Sequence, residues 1–543
     1  MFTNSKPGGG YLDNPKKGFT LIELLAVIVI LAIIALITIP IVMNMIKTAK
    51  KSSARSSALG YIDAVNYNND LASMNNDYGL DYSLISDGTH QVNSITVKMK
   101  GKKPTSGTIT IENKKVTEAT LCIEGYSVVY DVEKKDASVE GTCDSSETQT
   151  IYKETKLNGA DPELKSDMIP VTIENDGTVK RADIYTSWYS YNNKKWANAV
   201  VLTDNTSYEA GDTIPEAKIK AYYVWIPRYK YQIFNDGTTK VDEQTINIIF
   251  ENKTTSKSNS TTKGGYLTHP AFTYGSEELN GIWVGKFETT GTASSPTIKP
   301  NIQSLRSQKV ADQYTSSQNI STGSIMMKND EWGAMAYLSH SKYGTNKQIR
   351  INNKSGYKTG CGANEDNAEA SSTCEIAYGS NVSSYPQSTT GNIYGIFDTS
   401  GGAWEYVMGV KADQTGKPYS GRHNVYNSGF NGTLGCPTCD NTVSGVDSSI
   451  TELTSGTDFP DSKNYNLYNG TNYNNACNSS KCYGDATRET QSWYSDYYSF
   501  VSASYPWVIR GGVYADRAGA GVFSVSVNYG SASSNFSFRS VVR

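Results

Sequence analysis

The residues with the most direct chemistry are eight cysteines, which fall as close pairs: Cys122/Cys143, Cys361/Cys374, Cys436/Cys439 and Cys477/Cys482. Outside the cytoplasm, such pairs close loops as disulfides. Alternatively, Cys436-Pro-Thr-Cys439 is a CxxC whose thiolates, with Cys477 and Cys482, could complete a four-sulfur zinc site. The export route argued below favours disulfides. Four histidines are scattered without metal-ligand spacing, and there is no nucleophile elbow, phosphate loop or HExxH. No residue therefore receives a catalytic role, and no cofactor is expected. Calcium stays open, since no compact acidic loop demands it.

A second set of candidates lies near the C-terminus, in VYADRAGAGVFSVSVNYGSASSNFS (513–537). Its polar residues suit non-covalent recognition, because Tyr, Ser and Asn dominate adaptable binding surfaces. The side chains expected to face a ligand are Tyr514, Asp516, Arg517, Ser524, Ser526, Asn528, Tyr529, Ser531, Ser533 and Asn535. Val522, Phe523, Val525, Val527, Phe536 and Phe538 are the core candidates. The alternative reading is a plain glycine- and serine-rich β meander.

The length of 543 residues suggests about three globular parts. The formal net charge of −3 gives no basic balance, so no nucleic-acid partner is expected. The composition is polar, with 38 tyrosines and 47 glycines, and suits β-rich extracellular domains. One segment contradicts that polarity. KKGFTLIELLAVIVILAIIALITIPIVMNM (16–45) leads into a run without charge from Leu24 to Ile46, long enough to cross a bilayer as a helix. Glu23, at the start of this run, is costly in such a place and needs a partner.

The helix is expected to continue with Ala54, Ala58, Ile62 and Val65 on one face, and to stop at the Asn and Gly residues of 75–79. Strand patterns follow at 94–99, 108–111 and 119–132. AYYVWIPRYKYQIF (221–234) reads as a buried strand pair, 281–290 as a strand, and 330–338 as a short helix. Trp188, Trp196 and Trp225 read as core, with a sugar platform as the alternative. The Ser/Thr/Lys-rich stretch 251–265 reads as a loop or boundary.

Gly18-Phe19-Thr20-Leu21-Ile22-Glu23 resembles the processing site of type IV prepilins. That resemblance implies cleavage after Gly18 by a prepilin peptidase and methylation of Phe19. It also implies assembly with other pilin subunits through Glu23, with Pro40 loosening the helix. A plain signal anchor is the alternative. The long helix followed by a small sheet resembles the pilin head.

Three later blocks, GNIYGIFDTSGGAWEYV (391–407), WVIRGGVY (507–514) and FSFRSVV (536–542), resemble landmarks of the formylglycine-generating-enzyme branch of the C-type-lectin-like fold. Asn392, Gly395, Asp398, Gly401, Trp404, Glu405, Arg510, Gly511, Gly512, Phe538 and Arg539 match; Tyr406 and Ser537 depart from the pattern. The matching glycines read as turns and Trp404 as core, with Asp398, Glu405, Arg510 and Arg539 forming a buried polar network. Members of that enzyme family bind copper through cysteines in and after the R-G-G strand, but Val513–Arg543 has none, so no oxidase is expected. In lectin-like proteins diversified by retroelements, the last stretch is randomised at adenine-bearing codons. Such codons cannot encode Lys, Glu, Gln, Met or Trp, all absent from 513–537.

The resulting expectation is an α+β, single-pass membrane protein with its C-terminal domains outside the cell. It comprises a leader (1–18), a transmembrane and assembly helix (19–55), a pilin-like head (56–148), a β-rich middle (149–255) and a C-type-lectin-like domain (256–543). Its function is expected to be surface display of a domain that binds an unidentified extracellular ligand. A structural minor pilin, a DNA-uptake pseudopilin and a membrane-held monomeric receptor are the rival roles.

Overall fold

The structure is a computed structural model describing residues 21–74, 84–92, 95, 97, 99–143, 161–184, 186–235, 240–439, 442–469 and 482–543. Along 21–44 it describes the backbone and, of the side chains, only Leu25. The chain divides into two compact units, 1–150 and 151–543.

In the first unit a single helix, α1, runs from Leu21 to Met74. Its far half is amphipathic: Ala54, Ala58, Ile62 and Val65 are buried against Ile109, Ile111, Leu121 and Val128. The boundary expected at 55/56 therefore falls inside one continuous helix, where its packing begins. The sheet it covers is a five-stranded antiparallel meander: Gly88–Gln91, Ser106–Glu112, Lys115–Ile123, Tyr126–Asp131 and Asp136–Thr142, in chain order. Short turns explain the order of the last four strands, since tight connections join antiparallel neighbours. Asn69, fully buried on α1, satisfies both backbone groups of Ile85, accepting from its N–H at 2.9 Å and donating to its carbonyl at 3.1 Å. The 94–99 stretch, read above as a strand, is irregular at its described residues.

Gly18, Phe19 and the side chain of Glu23 lie outside the described residues, as do most side chains of the expected membrane segment. Among the described residues no helix is long and apolar enough to cross a membrane.

The second unit is built on two sheets. The larger has eight strands in the order 324–326, 540–542, 281–285, 219–227, 198–202, 168–173, 179–181 and 213–214. This order corrects the division at 255/256, because strand 219–227 pairs directly with 281–285 and joins the strands from 168–202 through it to the C-terminal strand. The polar stretch 251–265 is a loop between two short strands, Ile248–Phe250 and Tyr266–Thr268, which both flank Tyr229–Gln232. The smaller sheet orders 466–468, 404–411, 507–511 and 521–528, with 536–538 alongside 404–406. The chain leaves that sheet at Phe538 and enters the larger one at Ser540, so Arg539 sits between them, fully buried.

Helices α2 (Val310–Ser317) and α3 (Asn329–Ser339) complete the unit, and every residue of α3 is buried. Glu331 fastens both ends of this region. It accepts from the Lys328 N–H at 2.7 Å as an N-terminal cap, and takes both arms of Arg543 at 2.5 and 3.0 Å. Trp188, Trp196 and Trp225 are core residues, exposed by no more than 4%.

Disulfides join Cys122 to Cys143, Cys361 to Cys374 and Cys436 to Cys439. Cys482 is also disulfide-bonded, while Cys477 lies outside the described residues. The CxxC sulfurs are thus consumed by each other.

Candidate ligand-binding surface

The segment expected to meet a ligand begins as strand Trp507–Gly511 ends. Gly511 and Gly512 both have φ of +87°, and a Cβ on Gly512 would lie 2.6 Å from the Cα of Ala520. Only glycine fits that turn. The turn throws 513–520 outward, and Asp516 closes the loop by accepting from the Val513 N–H at 2.9 Å. The chain then returns as strand Gly521–Asn528, antiparallel to 507–511.

Ser524 is a correction. It is fully buried, between the buried Phe523 and Val525. An edge strand packed on one face would expose every second residue, but here the outer edge is itself covered. Val525 exchanges backbone hydrogen bonds with the 497–499 segment, its N–H donating to Tyr497 O and its carbonyl accepting from Ser499, each at 2.9 Å. The strand emerges only from Ser526 onward. Val527 is correspondingly half-buried rather than core.

The remaining candidates gather in two clusters. In the first, Tyr514 meets Tyr357 edge-on at 5.0 Å, and the Tyr357 hydroxyl donates to Asn535 Oδ1 at 2.5 Å. The Arg306 guanidinium lies 3.8 Å from the centre of the Tyr357 ring and donates to the Ser534 carbonyl. Trp404 is bound through its backbone to the Asn535 carbonyl at 2.9 Å, and its ring stands edge-on to Tyr497 at 6.3 Å. Tyr497 is 53% exposed. Asp516 is pushed above the usual carboxylate range, chiefly by burial and against hydrogen bonds from the Val513 N–H and the Trp404 side chain. Arg517 pairs with Glu369 at 2.7 Å on the open surface, an arrangement of small energetic worth.

In the second cluster Tyr529 is stacked between Tyr426 at 5.1 Å and Tyr505 at 5.0 Å. Arg422 lies over Tyr505 and Tyr529 and donates to the Tyr529 hydroxyl at 3.3 Å. Asn528 Oδ1 and the Ser531 carbonyl share the Tyr406 hydroxyl, each at 3.1 Å. Ser533 accepts from the Asn535 N–H at 3.2 Å, and Ser526 is half-buried.

Arg306, Tyr357, Tyr426, Tyr497 and Tyr505 were not singled out from sequence. They come from segments up to about two hundred residues away, with no local pattern to mark them. Trp404, read as core, is half-buried with its neighbour Glu405 pointing inward, as alternation along a strand requires.

Beneath the first cluster lies the polar network. Arg539 Nη2 meets Glu405 Oε1 at 2.5 Å and its Nε meets Oε2 at 3.1 Å; its other donors reach Gly285 O at 2.8 Å and Phe397 O at 3.0 Å. Asp398 accepts from Asn352 and the Gly360 N–H, both at 2.8 Å. Glu288 accepts from the Ala403 N–H at 2.8 Å. Burial raises all three carboxyls, Asp398 to about 6, Glu405 to about 7 and Glu288 well above the usual carboxylate range, with repulsion from Glu405 and Asp398 adding to the Glu288 shift. Arg510, equally buried, donates to Ala486 O at 2.9 Å and faces the Trp332 ring at 5.6 Å. These groups hold the surface in place. Among the described residues no group of three or more His, Cys, Asp or Glu could hold a metal ion.

Comparison with known families places a type IV pilin-like N-terminus on the chain. The model described as the prokaryotic N-terminal methylation motif matches residues 13–39. No curated protein matches the chain. The matched segment gives the chain a type IV pilin-like N-terminus, consistent with prepilin peptidase processing and pilin assembly.

Proposed function

We propose that this pilin-like protein displays, on its 151–543 unit, a ligand-binding domain of the C-type-lectin-like class, acting as an adhesin or receptor. The observation that carries this reading is the first aromatic cluster. Arg306, Tyr357, Trp404, Tyr497, Tyr514 and Asn535 converge from five separate segments, and Trp, Tyr and Arg are the side chains that dominate binding hot spots. Diversification of 513–537 belongs to the same reading. It confines variation to positions outside the core, so population sequencing of the gene's 3′ end should find changes at Tyr514, Asn528, Tyr529, Ser531 and Asn535, with Ser524 constant. Variation at Ser524 as frequent as at Tyr514 would count against it.

Two experiments test the proposal. Replacing Gly18 by valine leaves the chain uncleaved, heavier by its 18-residue leader and unmethylated at Phe19, by intact mass. Normal processing of that variant would remove the pilin part. For binding, the Tyr497→Ala/Tyr514→Ala protein should lose at least about tenfold in adhesion to source-community cells, since two hot-spot truncations cost over about 2 kcal/mol. Its melting temperature should stay within a few degrees of the parent. Undiminished adhesion would leave the head a structural cap.

A further inference from the structure

A separate open cleft of about 690 Å³ lies on the same unit, lined by Lys194, Thr345, Lys347, Arg350, Asp366 and Ser384 among others. We infer that this cleft binds an acidic saccharide, a carboxylate- or sulfate-bearing sugar unit of an extracellular polymer. The inference stands independently of the aromatic surface.

Three cations meet one carboxylate in the lining, although the whole chain is acidic. That carboxylate is already engaged: Asp366 pairs with Arg350 Nε at 3.3 Å, and Arg350 also donates to Asn364 O. Lys194 and Lys347 therefore carry the surplus positive charge, and neither forms an ion pair among the described residues. A cleft of this size matches small-ligand sites and excludes a nucleic-acid duplex. Its walls also offer the hydroxyls of Thr345 and Ser384, which suit a hydroxyl-rich ligand rather than a bare ion.

The walls are built, not loose. Thr345 N–H donates to Thr389 O at 2.8 Å, Arg350 N–H to Pro386 O at 3.0 Å, and Tyr385 N–H to Gly391 O at 3.0 Å. Lys194 is held by its backbone: it takes a left-handed conformation at φ 56°, and Asn392 Nδ2 donates to its carbonyl at 3.0 Å. Asn392 is fixed in turn by Thr390 Oγ1 at 2.8 Å and the Tyr394 N–H at 2.9 Å. The asparagine of the lectin-like landmark block thus positions a lysine at the cleft.

The test uses the full-length chain in detergent, with a heparin-derived hexasaccharide, a neutral dextran oligosaccharide of equal length and inorganic phosphate as probes. The variant is Lys194→Asn/Lys347→Gln, since asparagine tolerates the left-handed backbone at 194. The hexasaccharide should bind at about 20 mM NaCl and weaken at least about tenfold both at about 200 mM and in the variant, as solvent-exposed charge pairs are screened. Dextran should not bind, and the variant should melt with the parent. Equal binding by parent and variant, or no binding at low salt, overturns the inference. So does inorganic phosphate displacing the hexasaccharide at equal concentration, which would reduce the cleft to a small-anion site. A Tyr497→Ala/Tyr514→Ala control should keep the hexasaccharide, separating this site from the aromatic surface.

Discussion

Replacing Arg539 by leucine should leave the 151–543 unit unable to hold its fold at ordinary temperature. Arg539 sits at the one-residue passage between the two sheets and reaches four acceptor atoms: both oxygens of Glu405, Gly285 O in the larger sheet, and Phe397 O. Both members of the ion pair have no solvent exposure. Breaking a buried pair from one side costs about 3–5 kcal/mol, because a charge is left without a partner. Each orphaned carbonyl adds about 1–3 kcal/mol. A total of about 5–10 kcal/mol compares with a whole-domain stability of about 5–15 kcal/mol. The loss is compounded by Asp398, whose charge repels Glu405, and by Glu288, which both Glu405 and Asp398 repel. The double variant Arg539→Leu/Glu405→Leu removes both charges and should recover the ion-pair part of the loss but not that of the two carbonyls, a coupling of at least about 3 kcal/mol in the mutant cycle. Thermal unfolding followed by near-ultraviolet dichroism measures all three proteins. A single variant melting within a few degrees of the parent would mean that the carboxyl group is neutral in the fold and the pair is not what joins the sheets.

Sequence grouped Glu405 and Arg539 with Asp398 and Arg510 in one buried polar network without pairing them, because a buried arginine needs a partner but its spacing along the chain does not say which; Arg510 takes a backbone carbonyl instead. The N-terminal motif was legible because its residue types act at fixed local spacing and need no tertiary context. The buried face of α1 at Ala54, Ala58, Ile62 and Val65 is similarly local, set by helical spacing. So is the pairing of cysteines 3, 13 and 21 residues apart.

What sequence did not disclose is non-local. The polar stretch 251–265 has the composition of a linker, yet it connects two strands that flank the same neighbour. Composition reports solvent exposure, and a hairpin loop and an interdomain linker share it. Ser524 alternates correctly for a surface position and is buried because the 497–499 segment covers the strand's edge. The aromatic surface was half-read. Tyr514 and Asn535 lie in the segment that drew attention, whereas Arg306 and Tyr357 come from loops whose ends are placed by the sheets.

Raising the pH from about 6.5 to about 8.5 should destabilise this unit by about 2–5 kcal/mol. Outside the Arg539–Glu405 pair, four buried carboxyls are raised chiefly by burial: Asp398 to about 6, Asp485 to about 7, and Glu489 and Asp496 to about 8. Each binds its proton more tightly folded than unfolded. Their stabilisation is complete below the ordinary carboxylate range and is lost as pH rises through the folded values. Two buried histidines act oppositely. Burial lowers His269 to about 3 and His340 to about 4, so their contribution is lost as pH falls below about 6.5. The window from about 6.5 to 8.5 therefore isolates the carboxyls, and within it Glu489 and Asp496 dominate. Their surroundings differ instructively. Glu489 accepts from Tyr337 OH and the Gly484 N–H at 2.7 Å and from Tyr231 OH at 3.0 Å, which supports its anion. Asp496 has the Phe523 N–H at 3.0 Å, and its Oδ1 is buried without a partner. Asp496→Asn resembles the protonated form and should flatten the slope by about 0.7 kcal/mol per pH unit near pH 8. Melting temperatures of parent and variant at the two pH values decide the matter. A parent curve that is flat or rises toward pH 8.5 would mean that hydrogen bonds such as those to Glu489 outweigh desolvation, and that these acids are charged in the folded protein.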